Sequence, residues 1–341
     1  MKKLTLAFLY NIRHQYPDPD DPKTFLEADF DDPLVIKAII KHLKVAGFEV
    51  IAIEANKEAY LRLYKNKEKI DLAFYYAEGM YGKGREAQIP AMLEMLNIPY
   101  TGSSVLTHAL LLNKAMTKEI LKANDLPVLS HQIFKTNKEN LKKSLKFPLI
   151  VKPIAQGSSA GITNESVVTN KEKLYHQVNS VIKIFRQEAL VEPFLKGREF
   201  SIALLGNPPK VLPIIEANHS LLPKNLKPLD SLEVKWYFEE KGGEDHLICP
   251  AKLTKKLEKR IKEISLAIWQ ALEIFDLCRI DIRCDEEENP YVLEVNSPAG
   301  IIPPEISTTS YFPLAARKAG FSYEDLLRKI IKSALKRYGS L

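Results

Sequence analysis

The sequence predicts an α/β protein that opens with a parallel sheet. Three short apolar runs, residues 4–9 (LTLAFL), 48–53 (FEVIAI) and 71–76 (DLAFYY), alternate with helical segments. That βαβ rhythm implies parallel strands with helices on their faces. A second set of strands is expected around 132–134, 148–152, 160–169 and 189–194, and at 341 residues the chain has room for two or three compact units.

The start, MKKLTLAFLY, is basic and then apolar like a secretion signal. Polar and charged residues follow at once, without a small-residue cleavage site, so the first strand is expected there. The best early helix begins at Asp32-Pro33, a cap followed by proline at the first helical position, and stops at Gly47. The first unit closes near residue 105. A helical stretch, NKAMTKEILKAND, leads into the second set of strands, and ALVEPF and LKGREFSIALLGN lead into a third region. Over 255–275, Leu257, Ile261, Ile264, Ile268 and Ala271 recur at spacings of three and four, which predicts a helix with one face on a core. Residues 216–247, rich in Asn, Pro, Lys, Gly and Glu, are too long for a simple connection and read as a lid.

Hydrophobic residues at 45% and charged residues at 27% exclude a disordered or fibrous chain. The net charge of +6 is scattered along the whole length. That distribution fits a phosphate-bearing small molecule better than a nucleic-acid stripe. Cys249, Cys278 and Cys284 are odd in number and lack paired spacing, so neither a disulfide framework nor a zinc site is expected, and a cytoplasmic location fits. No apolar stretch approaches the ~20 residues of a membrane helix.

The chemistry concentrates in two strand-like segments. In CRIDIRCD, Arg279, Asp281 and Arg283 alternate with Ile280 and Ile282, so the polar three share a face. In YVLEVNSPAG, Glu294 and Asn296 share a face in the same way. A hairpin turning at DEEENP would bring two carboxylates and an amide together, a donor set of hard oxygens that suits magnesium. The same alternation fits a cross-strand ion pair of Arg279 or Arg283 with Glu294. Elsewhere, Lys152 ends a strand and is followed by Gln156-Gly157-Ser158-Ser159, the parts of a phosphate cradle. Gly-Ser loops are usually only turns, and neither G-x-x-x-x-G-K-[ST] nor G-x-G-x-x-G is present.

The stretches IPYTGSSVLTHALLLNKAMTKEILKANDLPV, FPLIVKPIAQGSSAGI, LVEPFLKGREFSIALLGN, LICPAKL, RIDIRCDEEENPYVLEVNSPAG and SYFPLAARKAGFSYEDLL resemble, in order, those of the ATP-grasp enzymes and among them the D-alanine:D-alanine ligase family. The resemblance implies an ATP-grasp fold of three units: an N-terminal α/β unit over 1–110, a central lobe over 111–195 and a C-terminal lobe over 196–341. It implies that Lys114 and Lys152 hold ATP phosphates and that Ser158 covers them. Glu192, Pro193 and Leu195 would meet adenine and Glu199 the ribose. Asp281, Glu294 and Asn296 would bind two Mg2+ ions, with Mn2+ as a substitute. Arg279 would stabilise the tetrahedral intermediate, Lys235 would act from the longer loop, and Gly300 would offer a backbone N–H to the oxyanion. The implied partners are small carboxylate and amine substrates and a second copy of the chain in a homodimer, with no nucleic acid and no membrane.

The departures from the family lie on the acceptor side. Its Gly-Gly-x-Ser-x-Glu stretch is replaced by LYNIRHQYPDPDDP, and its His-Gly-x-x-Gly-Glu-Asp-Gly loop by EGMYGKGRE, residues 78–86. Lys83 stands where an acid would be, Trp236 replaces the tyrosine after the loop lysine with Tyr237 beside it, and Glu305 replaces a serine. The expectation is that Lys83 or Arg85 meets an extra negative charge on a substrate, against the plainer outcome that both are solvated, with Arg13 and His14 as weaker candidates. The implied function is an ATP-dependent ligase that forms an amide through an acylphosphate, D-alanyl-D-alanine being the first product named. The alternatives are a ligase of different specificity and a nucleotide-binding protein without ligase activity.

Overall fold

The computed structural model describes residues 3–18, 21–238 and 246–339. Its first sheet is parallel, in the order β2-β1-β3, from β1 (Thr5–Tyr10), β2 (Glu49–Glu54) and β3 (Leu72–Tyr75). Leu6 to Leu9 are fully buried, which is why β1 reads as a continuous apolar run: a central parallel strand is covered on both faces. Helix α1 (Pro33–Val45) starts as expected, with Asp32 accepting from the Leu34 N–H at 2.7 Å, and buries Val35, Ile36, Ile39 and Leu43. Helices α2 (Ala59–Asn66) and α3 (Gln88–Met95) complete this layer, and α4 (Val105–Leu112) and α5 (Lys114–Ala123) follow.

The second sheet is antiparallel, in the order β4-β7-β5-β6, from β4 (Gln132–Phe134), β5 (Leu149–Pro153), β6 (Val167–Val168) and β7 (Ala189–Pro193). Helix α6 (Lys171–Phe185) covers it with Leu174, Val178, Val181 and Phe185. The strand expected over 160–169 is only two residues long. The chain turns through left-handed Ser158, Ser159 and Gly161, and Thr163 and Ser166 then form a capping box around a 3-10 turn, leaving no extended run to pair.

The third sheet, β11-β10-β8-β12-β13, has β9 paired to β8 off the main path. Its strands are β8 (Glu199–Leu205), β9 (Lys210–Val211), β10 (Ile215–Ala217), β11 (Leu247–Ile248), β12 (Leu277–Cys284) and β13 (Pro290–Asn296), all antiparallel. β10 and β11 pair at Glu216↔Ile248 and Ala217↔Leu247, so the two ends of the irregular 216–247 segment are strand partners and the chain between them is an excursion from the sheet. Part of that excursion, 239–245, lies outside the described residues, as does the Tyr237 side chain.

Helix α7 (Lys255–Ala271) lies on the third sheet through Leu257, Ile261, Ile264 and Ile268, the stripe expected from sequence. Helices α8 (Tyr311–Lys318) and α9 (Tyr323–Arg337) instead reach back to the first unit. Phe312, Leu327, Ile330 and Ile331 share one apolar cluster with Phe8, Ile39 and Leu43, and with Ala203 and Leu205 of β8. The end of the chain is therefore packed between the first and third sheets. Among the described residues no helix is long and apolar enough to cross a membrane.

Ile330 is fully buried in that cluster. Ile330→Ala is expected to cost about 2–5 kcal/mol of unfolding free energy, measured by denaturant titration, because the deleted methylenes leave a cavity between packed helices.

Candidate active site

A cleft of about 670 Å3 lies between the first unit, the loop after β5, the end of β13 and the 298–311 segment. A narrower one of about 80 Å3 runs along β7 and past Pro193, Phe194 and Leu195. Gln156, Gly157, Lys235, Leu293 and Glu294 line both.

The hairpin of β12 and β13 closes at Asp285, whose carboxylate accepts the N–H groups of Glu287 at 3.0 Å and Asn289 at 2.8 Å. Its register sets Asp281 opposite Glu294 and Arg279 opposite Asn296. Three oxygen-bearing side chains converge as the alternation requires. Asp281 Oδ1 accepts from Ser201 at 2.7 Å, and Asn296 donates to Asp281 Oδ2 at 3.2 Å through its amide nitrogen, which keeps its oxygen as an acceptor. The cross-strand ion pair is present as well: Arg279 Nη2 lies 2.9 Å from Asp281 and 3.8 Å from Glu294. Its guanidinium sits 5.6 Å from the Tyr311 ring centre. Arg283 turns instead to Glu199, at 3.0 Å. Burial pushes Glu294 up, but Lys114 at 3.5 Å and Arg279 outweigh it and hold the carboxyl below its ordinary range. Burial holds Asp281 above its ordinary value despite Arg279.

On the other wall, Lys152 and Glu192 come from neighbouring strands β5 and β7, and the ammonium meets Oε1 at 2.5 Å. Lys118 meets Oε2 of the same carboxylate at 3.0 Å and donates to the Val292 carbonyl at 3.1 Å. Burial opposes ionisation of Glu192, yet the two lysines prevail and hold its pKa at about 2. Its carboxylate is thus committed to lysines, and Glu192 and Pro193 of β7 line the narrow cleft. Lys114 donates to the Gln156 carbonyl. Sequence reasoning missed Lys118. The signal was available, because Lys114 and Lys118 are four apart and share one face of a helix.

Glu199 lies beside a pair that sequence reasoning also missed. His219 meets Asp230 at 2.9 Å, Tyr311 donates to the other Asp230 oxygen at 2.5 Å, and Ser159 donates to the Asp230 carbonyl at 2.6 Å. Glu199, His219 and Asp230 bring ligand atoms within 4.8 Å of one another, but these side-chain partners already engage them. The donor set better suited to a hard cation is Asp281, Glu294 and Asn296. Lys235 lies in a π-helical turn, Val234–Phe238, on both clefts, and Ser158 and Gly300 border the larger one.

The acceptor wall corrects the expectation of a cationic loop. Lys83 is exposed and pairs with Glu188 at 3.3 Å, outside the cleft. Arg85 is neither solvated nor free: it is buried, pairs with Asp29 at 2.8 Å and donates to the Ala155 carbonyl at 2.9 Å. Among the groups that do face the cleft are Asp31, Glu78 and Glu86, with Asp29 and Asp32 beside them. Burial raises the carboxyls of Asp31, Glu78 and Glu86, with Asp31 at about 6. Arg13 also lines the cleft, stacked 4.4 Å from the Trp236 ring centre and donating to the carbonyls of Glu27, Ala28 and Phe30, whereas His14 is exposed beside Glu27. Glu305 turns away to His42, 2.6 Å distant.

Residues 118–332 match the family model for the D-ala D-ala ligase C-terminus. The D-alanine–D-alanine ligase of Pelotomaculum thermopropionicum is 33% identical over 315 residues, covering 89% of this chain and 92% of the relative. The chain belongs to the D-alanine–D-alanine ligase family. The uncharacterized protein y4sG of Sinorhizobium fredii is also 33% identical, over 95% of this chain and 92% of its own. The ATP-complexed D-alanine–D-alanine ligase of Bacillus anthracis superposes with a TM-score of 0.72 at 24% identity, covering 98% of this chain and 99% of its own. The fold is therefore the ATP-grasp fold, as the motifs implied.

One departure from the family has a pH signature. His42 of α1 lies between Glu305, at 2.6 Å, and Glu324 of α9, at 2.7 Å, with Tyr323 edge-on to its ring. Lys41 stands near Glu305 and Arg328 near Glu324. Burial opposes protonation of His42, but its hydrogen bonds to Glu324 and Glu305 outweigh it and raise its pKa. The stabilisation is complete below the ordinary histidine value and is lost as pH rises through the raised folded value. Denaturant midpoints measured from about pH 5.5 to about 9 should decline on the alkaline side, and His42→Ala should flatten that part of the curve.

Proposed function

We propose that the protein is an ATP-dependent carboxylate-amine ligase that joins D-alanine to D-alanine through an acylphosphate. The observation that carries the proposal is the convergence, where the two clefts adjoin at Glu294, of Asp281 and Lys152 on the narrow side with Asn296, Arg279 and Lys114 on the large side. Membership of the family and the ATP-bound relative support it. The division into units 1–110, 111–195 and 196–341, a homodimer and a cytoplasmic location belong to the same proposal.

In this reading Lys114 and Lys152 meet the ATP phosphates, and Ser158 closes over them from the loop after β5. The β7 backbone at Glu192 and Pro193, with Leu195, contacts adenine, and Glu199 takes the ribose hydroxyls. The two carboxylates and the amide oxygen offer only hard oxygens, which fits two Mg2+ ions, with Mn2+ as a substitute. When bound, magnesium supplies neutralising charge to the phosphate oxygens. The carboxylate of the first amino acid attacks the γ-phosphorus, the bond to the bridging oxygen breaks and ADP leaves. The amine of the second amino acid then attacks the acylphosphate carbon, forms the C–N bond, and expels phosphate after losing a proton. Arg279 and the Gly300 N–H stabilise the negative oxygen that develops at that carbon, while Lys235 balances charge on the departing phosphate. Little covalent chemistry falls to the protein, so its contribution is positioning and fixed charge.

A second reading, a ligase of the same chemistry with a different substrate, is favoured by the acidic wall. Asp31, Glu78 and Glu86 face the acceptor half. Burial favours the neutral form of these carboxyls, and a second ammonium group on a substrate would favour their ionised form, whereas an additional carboxylate would not. Phosphate release from Mg-ATP across a panel of D- and L-amino acids, single and paired, with mass spectrometry of the product, separates the readings. D-alanine alone giving D-alanyl-D-alanine supports the first. Turnover confined to amino acids with a second ammonium group supports the other, and no amino-acid-dependent phosphate release overturns both. Arg279→Met is expected to lower kcat by about 10^2- to 10^3-fold, read by the same assay, since it removes one fixed donor to the developing oxyanion.

A further inference from the structure

The loop after β5 holds two consecutive serines, Ser158 and Ser159, at φ +47° and +59°. Left-handed backbone at non-glycine residues persists only where the surroundings hold it in place. The Ser159 hydroxyl is tied to the Asp230 carbonyl at 2.6 Å, and three contacts hold the three successive residues that lead into Ser158. Arg85 donates to the Ala155 carbonyl at 2.9 Å, Lys114 donates to the Gln156 carbonyl, and the Gly157 N–H donates to Asp29 Oδ2 at 3.2 Å. The outer two contacts belong to one unit, because Arg85 and Asp29 are themselves paired at 2.8 Å, with side chains only 10% and 6% exposed. Gly157 is what admits the carboxylate: a Cβ there would stand 2.6 Å from Asp29 Oδ1. Asp29 and Gly157 also line the large cleft beside Asp31. The acceptor wall and the Gln156–Ser158 turn are therefore tied through a single buried ion pair.

We propose that Asp29 and Arg85 are positioning residues, which fix the Gln156–Ser158 turn over the nucleotide phosphates from the acceptor side. Neither touches a reacting atom. Their effect is on nucleotide affinity and on the phosphoryl-transfer step, and it reaches that step through the backbone of residues 155 to 157. The proposal rests on the ligase reading above.

The test is titration of the full chain with Mg-AMP-PNP, a non-hydrolysable ATP analogue, followed by steady-state kinetics. Asp29→Asn keeps the shape and removes the charge that holds both partners. It is expected to weaken AMP-PNP binding and raise KM for ATP by about tenfold, in line with loss of a charge-assisted hydrogen bond. KM for the amino acid should change less than about twofold, well under one such bond. Asp29→Glu should recover part of the loss. Arg85→Lys, which keeps the charge but cannot serve Asp29 and Ala155 together, should reproduce the loss, and so should Gly157→Ala. Unchanged nucleotide affinity in Arg85→Lys and Gly157→Ala overturns the proposal, even if melting temperatures fall, because the pair would then be structural only. Nucleotide binding that falls across the variants only in step with thermal stability, without recovery by Asp29→Glu, also overturns it. Failure of the wild type to bind Mg-AMP-PNP removes the ligase reading itself, and the positioning role with it.

Discussion

The active cleft depends first on the register of one strand. β12 is paired on both sides, with Arg279 and Asp281 opposite Asn296 and Glu294 of β13, and Asp281 opposite Ser201 of β8. In a sheet with a side-chain period of two, a slip of one residue would send Ile280 and Ile282 into the cleft and drive Asp281 into the core under α7. The apolar face prevents that slip. Ile280 and Ile282 are fully buried against the α7 stripe, so the burial that stabilises the sheet also fixes the position of the carboxylates. The fold and the donor set are therefore consequences of the same alternation.

The second constraint is charge. Lys114, Lys118 and Lys152 are all buried, and bare ammonium groups in such a site would be costly. Glu192 lies between two of them, and Glu294 stands near the third. In this set three lysines stand against two carboxylates, and each cation keeps a partner. Removing one member of such a buried set typically costs more than the net worth of the contact, because the others are left uncompensated. The two carboxylates therefore have structural duties whatever ligand is bound, which explains why both stay ionised against the pull of burial.

On the acceptor side the molecule departs from a simple charge swap. Arg85, a candidate for an extra negative charge on a substrate, is spent on Asp29 and a backbone carbonyl, and the acceptor-side surface facing the cleft carries Asp31, Glu78 and Glu86. Arg13 is similarly occupied by carbonyls and by the face of Trp236. Glu305, on the loop that borders the cleft, is held outward by His42. The residues that differ from the family are thus mostly tied to one another, and they shape the wall rather than stand free in it.

By itself the sequence determined what local periodicity can carry. The parallel opening, the capped start of α1, the α7 stripe and the polar face of the hairpin all follow from spacings of two or of three and four, and each is present in the fold. The family motifs named the lysines and the oxygen donors because they lie in short contiguous stretches. What it could not carry were partners that no local periodicity relates, whether far apart in the chain or, like His219 and Asp230, within one irregular segment. Glu192 with Lys118, Arg85 with Asp29, and His42 with Glu305 depend on how the three sheets and the last two helices meet. The 160–169 strand failed for a related reason: its residues favour extension, but the left-handed turn before it and the capping box within it decide the local path. Whether a charged side chain is a free ligand or a spent one is a property of its neighbours in space, and only the tertiary structure supplies those.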